Sequence, residues 1–203
     1  MKKTIDQLLT EISEDKYQNL STTSYTFKRD VWNFFTDCKD KICVEFGTHK
    51  GQTTRILSFL FKKVYTINNN ENESAKRLNS DIDNIVYINF DLYNSRVLPI
   101  DETIDVFFVD AGHEYDNVIM DINRIFSMNC ADECYIVFDD YGCNVHSDDV
   151  KKAVDLAIER DYISIVKRIG HDSGHSFGTG PNNDSVERVL LDSEGLITKI
   201  NWK

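Results

Sequence analysis

The chain has 203 residues, of which 41% are hydrophobic and 28% charged, and its formal net charge is −11. That length suits one globular domain with a continuous core, the lack of a long apolar run argues against a membrane span, and the acidic balance argues against a polyanion such as nucleic acid as partner. The basic start MKKT runs into acids rather than an apolar core, which argues against a signal peptide, and five cysteines (Cys38, Cys43, Cys130, Cys134, Cys143) without zinc spacing read as reduced thiols of a cytoplasmic protein.

In chain order, Ile5, Leu8, Leu9 and Ile12 recur at helical spacing and predict a short amphipathic helix. A polar STTS stretch precedes a second helix carrying Phe27, Val31, Trp32, Phe34 and Phe35. The rhythm then becomes strand, turn, helix. KICVEFG reads as a buried strand, followed by a helix with Ile56, Leu57, Leu60 and Phe61. KVYTIN is the second strand, NENESAKRLNS a polar helix, NIVYINFD the third strand and IDVFFVD the fourth. A helix with Tyr115, Val118, Ile119, Ile122, Ile125 and Phe126 on one face leads to the fifth strand, ECYIVFDD. Ser147 reads as the N-cap of a helix that buries Val150, Ala153, Val154, Ala157 and Ile158. YISIVKRI and SVERVLL then predict an antiparallel pair across a glycine-rich loop, with GLITKI as a last edge strand. Cys43 and Cys134 fall inside apolar strand runs and read as core residues.

Alternating strands and helices make a parallel sheet with helices on both faces, a doubly wound α/β fold with an antiparallel C-terminal edge. In such a sheet the carboxyl ends of the strands form the rim that binds ligands. Acids stand there repeatedly: Glu45 in CVEFGTHKGQTT, Asp110 in VFFVDAGHEY, and Asp139 and Asp140 in CYIVFDDYG. The loop after the first strand has glycines at 47 and 51, a spacing that is neither GxGxxG nor a P-loop. A tight strand–helix turn accounts for the glycines alone. With Glu45 two residues before Gly47, the loop also suits a zwitterion, since the carboxylate faces an ammonium and the helix start a carboxylate.

E-x-G-x-x-x-G-x-T-T, followed in order by INNNEN, INFD, VDAGHEY and FDDYG, resembles the class I S-adenosylmethionine-dependent methyltransferases. More narrowly it resembles the branch with the metal-dependent macrolide-sugar O-methyltransferases, over roughly residues 41–192. The resemblance implies a seven-stranded Rossmann-like sheet of order 3-2-1-4-5-7-6 with strand 7 antiparallel. It implies one domain over residues 1–203, with residues 1–40 as a helical cap and 41–203 as the core. Glu45, Gly47 and Gly51 would line the methionine part of S-adenosylmethionine, with Thr48 and Asp110 also at the cofactor. Asn68 stands where the family carries an acid for the ribose hydroxyls, and Asp91 where it contacts the adenine amino group.

Carboxylates crowded on one rim repel unless a cation or proton joins them, and oxygen ligands suit Mg2+. Asp110, Asp139 and Asp140 are the candidate metal ligands; otherwise Asp110 touches the cofactor and the acid pair caps a helix or sits in a turn. In the resembled branch an acid, a His three residues later and an acid pair on the next strand supply metal ligands and a base, which implies His113 as general base beside Asp110. His49, His146, His171 and His175 are weaker candidates, Tyr141 reads mainly as packing, and Thr23 and Tyr25 would lie near the cofactor on a lid.

The expected activity is metal-assisted transfer of the sulfonium methyl group to a hydroxyl of a small molecule, a sugar or another metabolite. An oligomer of identical chains is compatible with it. The rivals are a metal-independent methyltransferase, a non-catalytic cofactor-binding module and, with less support, a nicotinamide oxidoreductase. Asp110-Ala111-Gly112-His113 in place of an Asn-Pro-Pro-Tyr signature argues against amino methylation of nucleobases.

Overall fold

A computed structural model describes residues 3–14, 23–94, 96–142, 147–170 and 193–202. Its elements are α1 (Ile5–Glu14), α2 (Tyr25–Phe34), β1 (Ile42–Phe46), α3 (Gln52–Leu60), β2 (Lys63–Asn68), α4 (Glu73–Leu78) and β3 (Ile85–Asn89), then β4 (Ile104–Val109), α5 (Tyr115–Phe126), β5 (Cys130–Phe138), α6 (Ser147–Glu159), β6 (Ile163–Ile169) and β7 (Gly195–Ile200). They build one seven-stranded sheet of order β3-β2-β1-β4-β5-β7-β6. The first five strands run parallel, and β7 is antiparallel to both β5 and β6.

Near-continuous apolar runs in β1 and β4 follow from burial on both faces, since successive side chains point to opposite sides. Cys43 and Phe108 pack on the face covered by α1, α2 and α3, whereas Val44 and Phe107 pack on the face covered by α5 and α6. Phe27 of α2 meets Phe108 edge to face at 5.8 Å between ring centroids, which ties the N-terminal helices to the central strand. A buried cation secures α1 as well: Arg55 of α3 pairs with Glu11 at 2.9 Å and with Asp81 at 2.8 Å. Two short caps fix helix starts. The Ser24 hydroxyl accepts from Phe27 N, and the Asn72 side chain accepts from Ala75 N.

The C-terminal reading needs correction. GLITKI is not an edge strand but the inner strand β7, inserted between β5 and β6, with both of its neighbours hydrogen-bonded and its side chains almost all buried. YISIVKRI therefore pairs with GLITKI, and SVERVLL lies outside the described residues. Ser147 is the first helical residue of α6, so its N-cap position also lies outside them. Cys43 and Cys134 are fully buried with free thiols, as core residues should be. Among the described residues no helix is long and apolar enough to cross a membrane.

Candidate active site

The carboxyl ends of the parallel strands open into a cleft of about 560 Å³, in the size range of small-molecule sites. Of the residues expected there, Gly47, Thr48, Asn68, Asp91, Asp110, His113, Asp139 and Asp140 line it. Glu45 and Gly51 do not. Gly51 packs instead between α3 and α4, where a Cβ would sit 2.7 Å from the Ala75 Cβ, and its carbonyl accepts from Asn79 Nδ2 at 2.9 Å. Asn68 donates to Asn70 Oδ1 at 2.6 Å, and Asp91 accepts from Tyr93 N at 2.9 Å, so each is held by its own turn at the cleft edge.

Glu45 lies beneath the cleft floor and is fully buried. Its Oε2 accepts from the hydroxyls of Thr54 and Thr66, each at 2.5 Å, and Thr66 in turn accepts from Thr48 at 2.7 Å. Burial pushes the carboxyl up to about 8 against the pull of the two hydroxyls. Asp121 on α5 is likewise buried, with neither carboxylate oxygen partnered among the described residues, and burial raises it to about 8. Carboxyls that keep their proton in the fold but lose it near pH 4 when unfolded stabilise the protein fully below that pH, and the contribution disappears as pH rises through about 8. The melting temperature is therefore expected to fall between about pH 5 and pH 9, and Asp121→Asn to flatten that slope in a calorimetric series. An unchanged slope in the variant would reject the assignment.

The acid cluster forms because β4 and β5 end side by side: Asp110 follows β4, and Asp139 and Asp140 follow β5. Asp140 adopts φ +56°, a left-handed conformation tolerated by Asp, which turns its carboxylate toward the start of α5. There His113 Nε2 stands 3.0 Å from Asp140 Oδ2 and 3.6 Å from Asp110 Oδ1. Burial alone would strip the imidazole of its proton, but hydrogen bonds to Asp110 and Asp140 hold it and lift the group to about 10. Burial also raises Asp110 and pushes Asp139 well above the carboxylate range, with Asp140 adding repulsion to both. Asp110, His113 and Asp140 offer ligand atoms within 4.8 Å of one another, a group that Asp139 does not join. The Asp139 Oδ1 atom is buried without a partner among the described residues.

Tyr141 is a packing residue: it is 1% exposed, and its hydroxyl bonds Asp155 at 2.7 Å and Lys151 at 2.6 Å. His49 lines the cleft, as does Thr23, whereas Tyr25 does not; His146, His171 and His175 lie outside the described residues. Three further residues escape a reading of the sequence. Gln52, the first residue of α3, lines the cleft, yet both of its amide atoms are buried and unpartnered among the described residues. Lys28 and Glu194 are buried charges at the foot of the same cleft wall. Lys28 carries a sequence signal, since it shares the helical stripe of Val31 and Phe35; Gln52 and Glu194 carry none.

Residues 44–141 match a family described as "Methyltransferase domain". That stretch is 98 of the 203 residues and runs from β1 to just past β5, and the sheet order and strand directions are those of the class I, S-adenosylmethionine-dependent methyltransferase fold. No curated protein sequence matches it significantly. Among solved structures it is similar to a SAM-dependent O-methyltransferase from Thermotoga maritima, with TM-score 0.65 and 13% identity over 97% of this chain and 71% of that one. It is similar to the tRNA (m1A58) methyltransferase TrmI from Aquifex aeolicus, with TM-score 0.62 and 16% identity over 99% and 77% of the two chains. The N-methyltransferase NodS from Bradyrhizobium japonicum, in complex with S-adenosyl-L-homocysteine, gives 0.60 and 15% over 97% and 96%. Identities this low speak for the shared fold alone, which proteins with both oxygen and nitrogen acceptors use.

Proposed function

We propose that this methyltransferase moves the methyl group of S-adenosylmethionine to a hydroxyl of a small molecule, with Mg2+ at the acid cluster and residues 1–40 capping the core. The observation that carries the reading is His113 set between Asp110 and Asp140 on the cleft wall that faces the glycine loop. S-adenosylmethionine brings an activated methyl group, so the protein has to supply position, exclusion of water and a destination for the acceptor's proton.

The lining fits that donor. The Gln52 amide, unpartnered among the described residues, offers two N–H donors and a carbonyl acceptor beside the start of α3, where backbone N–H groups suit a carboxylate. Asn68 can hydrogen-bond the ribose hydroxyls through its amide, and Asp91 can accept from the adenine amino group. The acid cluster fits a hard divalent ion, which two carboxylates would hold while leaving positions for water and acceptor oxygen. Such an ion would steady the acceptor oxygen and acidify its hydroxyl. His113 then receives the proton at Nε2, a role it can fill once the charge of Asp110 and Asp140 is engaged elsewhere. Acids on the wall and a net charge of −11 favour a small acceptor over a nucleic acid.

A metal-independent transferase on the same cleft is the second reading. It is favoured by the Asp140–His113 pair, which balances one carboxylate without an ion. Thermal shift tests the donor: S-adenosylhomocysteine should raise the melting temperature by mass action and NAD should not. Stabilisation by NAD alone would sink the proposal, and full turnover after exhaustive chelation would decide for the second reading.

A further inference from the structure

Lys28 is 1% exposed, and its ammonium points under the cleft wall, where it donates to both the carbonyl oxygen and the hydroxyl of Thr23. The next residue is gripped by the opposite charge. Glu194, just before β7, accepts from Ser24 N at 2.6 Å through Oε1 and from the Ser24 hydroxyl through Oε2. Two consecutive residues ahead of α2 are thus fixed by two buried ions from elements 166 positions apart in the chain (Lys28 to Glu194). What they fix is part of the cleft: Thr23 lines it, and its hydroxyl lies 3.3 Å from that of Thr53 in the first turn of α3. Gln52, whose buried amide has no partner among the described residues, is the residue next to Thr53.

We propose that Lys28, clasped with Glu194, is a positioning residue for the methyl donor, holding Thr23 so that Thr23 and Gln52 form the polar wall for the donor's amino-acid end. This rests on the donor reading above. A purely packing role explains the side chain poorly. Lys28 occupies an apolar stripe with Val31 and Phe35, where a methionine of similar length would fill the space without carrying an ammonium out of water. What methionine cannot do is satisfy the Thr23 carbonyl and set the direction of the Thr23 hydroxyl. A zwitterionic amino-acid group suits the resulting wall: hydroxyl, amide and the N-terminal N–H groups of the nine-residue α3 converge on it.

The test is calorimetric titration of S-adenosylhomocysteine into wild type, Thr23→Val, Thr23→Ser, Lys28→Met and the Lys28→Met/Thr23→Val pair, each with its melting temperature. Thr23→Val and Lys28→Met should each weaken binding about tenfold or more, as loss of a buried hydrogen bond to a ligand does. Thr23→Ser should restore near-wild-type affinity, and the double variant should be no weaker than the worse single one, because both act through one contact. A Lys28→Met protein that melts lower yet binds as tightly as wild type returns Lys28 to packing and overturns the proposal. If that variant does not fold, Thr23→Val against Thr23→Ser decides alone, and equal affinities overturn it. A wild-type chain that binds no S-adenosylhomocysteine overturns the donor reading itself and the clasp with it.

Discussion

Gly47→Val is expected to yield a chain that has lost most of its stability margin and all measurable binding of S-adenosylhomocysteine. Gly47 sits at φ +94°, a conformation that side-chain-bearing residues avoid. A Cβ there would stand 1.8 Å from the Asp110 carbonyl oxygen and 2.6 Å from its carbon, both backbone atoms with nowhere to go. The surrounding ladder is closed: Gly47 N donates to Ile67 O at 3.0 Å, and Asp110 N donates to Phe46 O at 2.9 Å. The glycine is thus required by the close approach of the loop to the end of β4, which is more than leaving room for a ligand. Because the first methyl group already clashes, Gly47→Ala should cost nearly as much as valine, on the order of 3–4 kcal/mol by denaturant unfolding. An alanine variant within about 1 kcal/mol of wild type, with intact binding of S-adenosylhomocysteine, would show that the loop can relax and that this account is wrong.

The central sheet is legible in the sequence because parallel strands buried on both faces write themselves as apolar runs ending in an acid or a glycine. ICVEF, IDVFFV and CYIVF are such runs, and each ends where the cleft begins. GLITKI misled because a strand's place in a sheet depends on pairing partners far away in the chain, not on its own pattern. Its burial against both β5 and β6 marks it as interior only once the fold is seen. The candidate site is legible at the residues that end strands, Asp110, Asp139 and Asp140, and at His113. It is not legible at Glu45, whose strand-end position suggests a ligand contact while its side chain points to Thr54 and Thr66 below the cleft. Gln52 and Glu194 escape for a related reason: their significance is burial among elements distant in the chain, a three-dimensional property that no spacing encodes, whereas Lys28 is marked by its place on the stripe of Val31 and Phe35.

His113→Ala is expected to slow methyl transfer by roughly 10²–10⁴-fold at saturating substrate and Mg2+, the usual effect of removing a positioned base. The reason is its place: the Nε2 atom sits 3.0 Å from Asp140 and 3.6 Å from Asp110, at the junction of the two strand ends and on the cleft surface. Affinity for S-adenosylhomocysteine should change little, because the imidazole is engaged with the two carboxylates rather than with the loop at residues 47–50. The melting temperature must be measured beside the rate, since an ion pair this buried can also hold the start of α5. The dependence on Mg2+ separates a base from a ligand. A base lost to alanine leaves the Mg2+ concentration for half-maximal activity unchanged and the maximal rate low. A lost ligand raises that concentration and lets excess Mg2+ recover the rate. Asp140→Asn supplies the contrast, because it should show the second behaviour, with a raised Mg2+ requirement. A His113→Ala protein that keeps near-wild-type turnover with chemistry rate-limiting would remove the base from the mechanism and leave His113 as a counter-charge for Asp140.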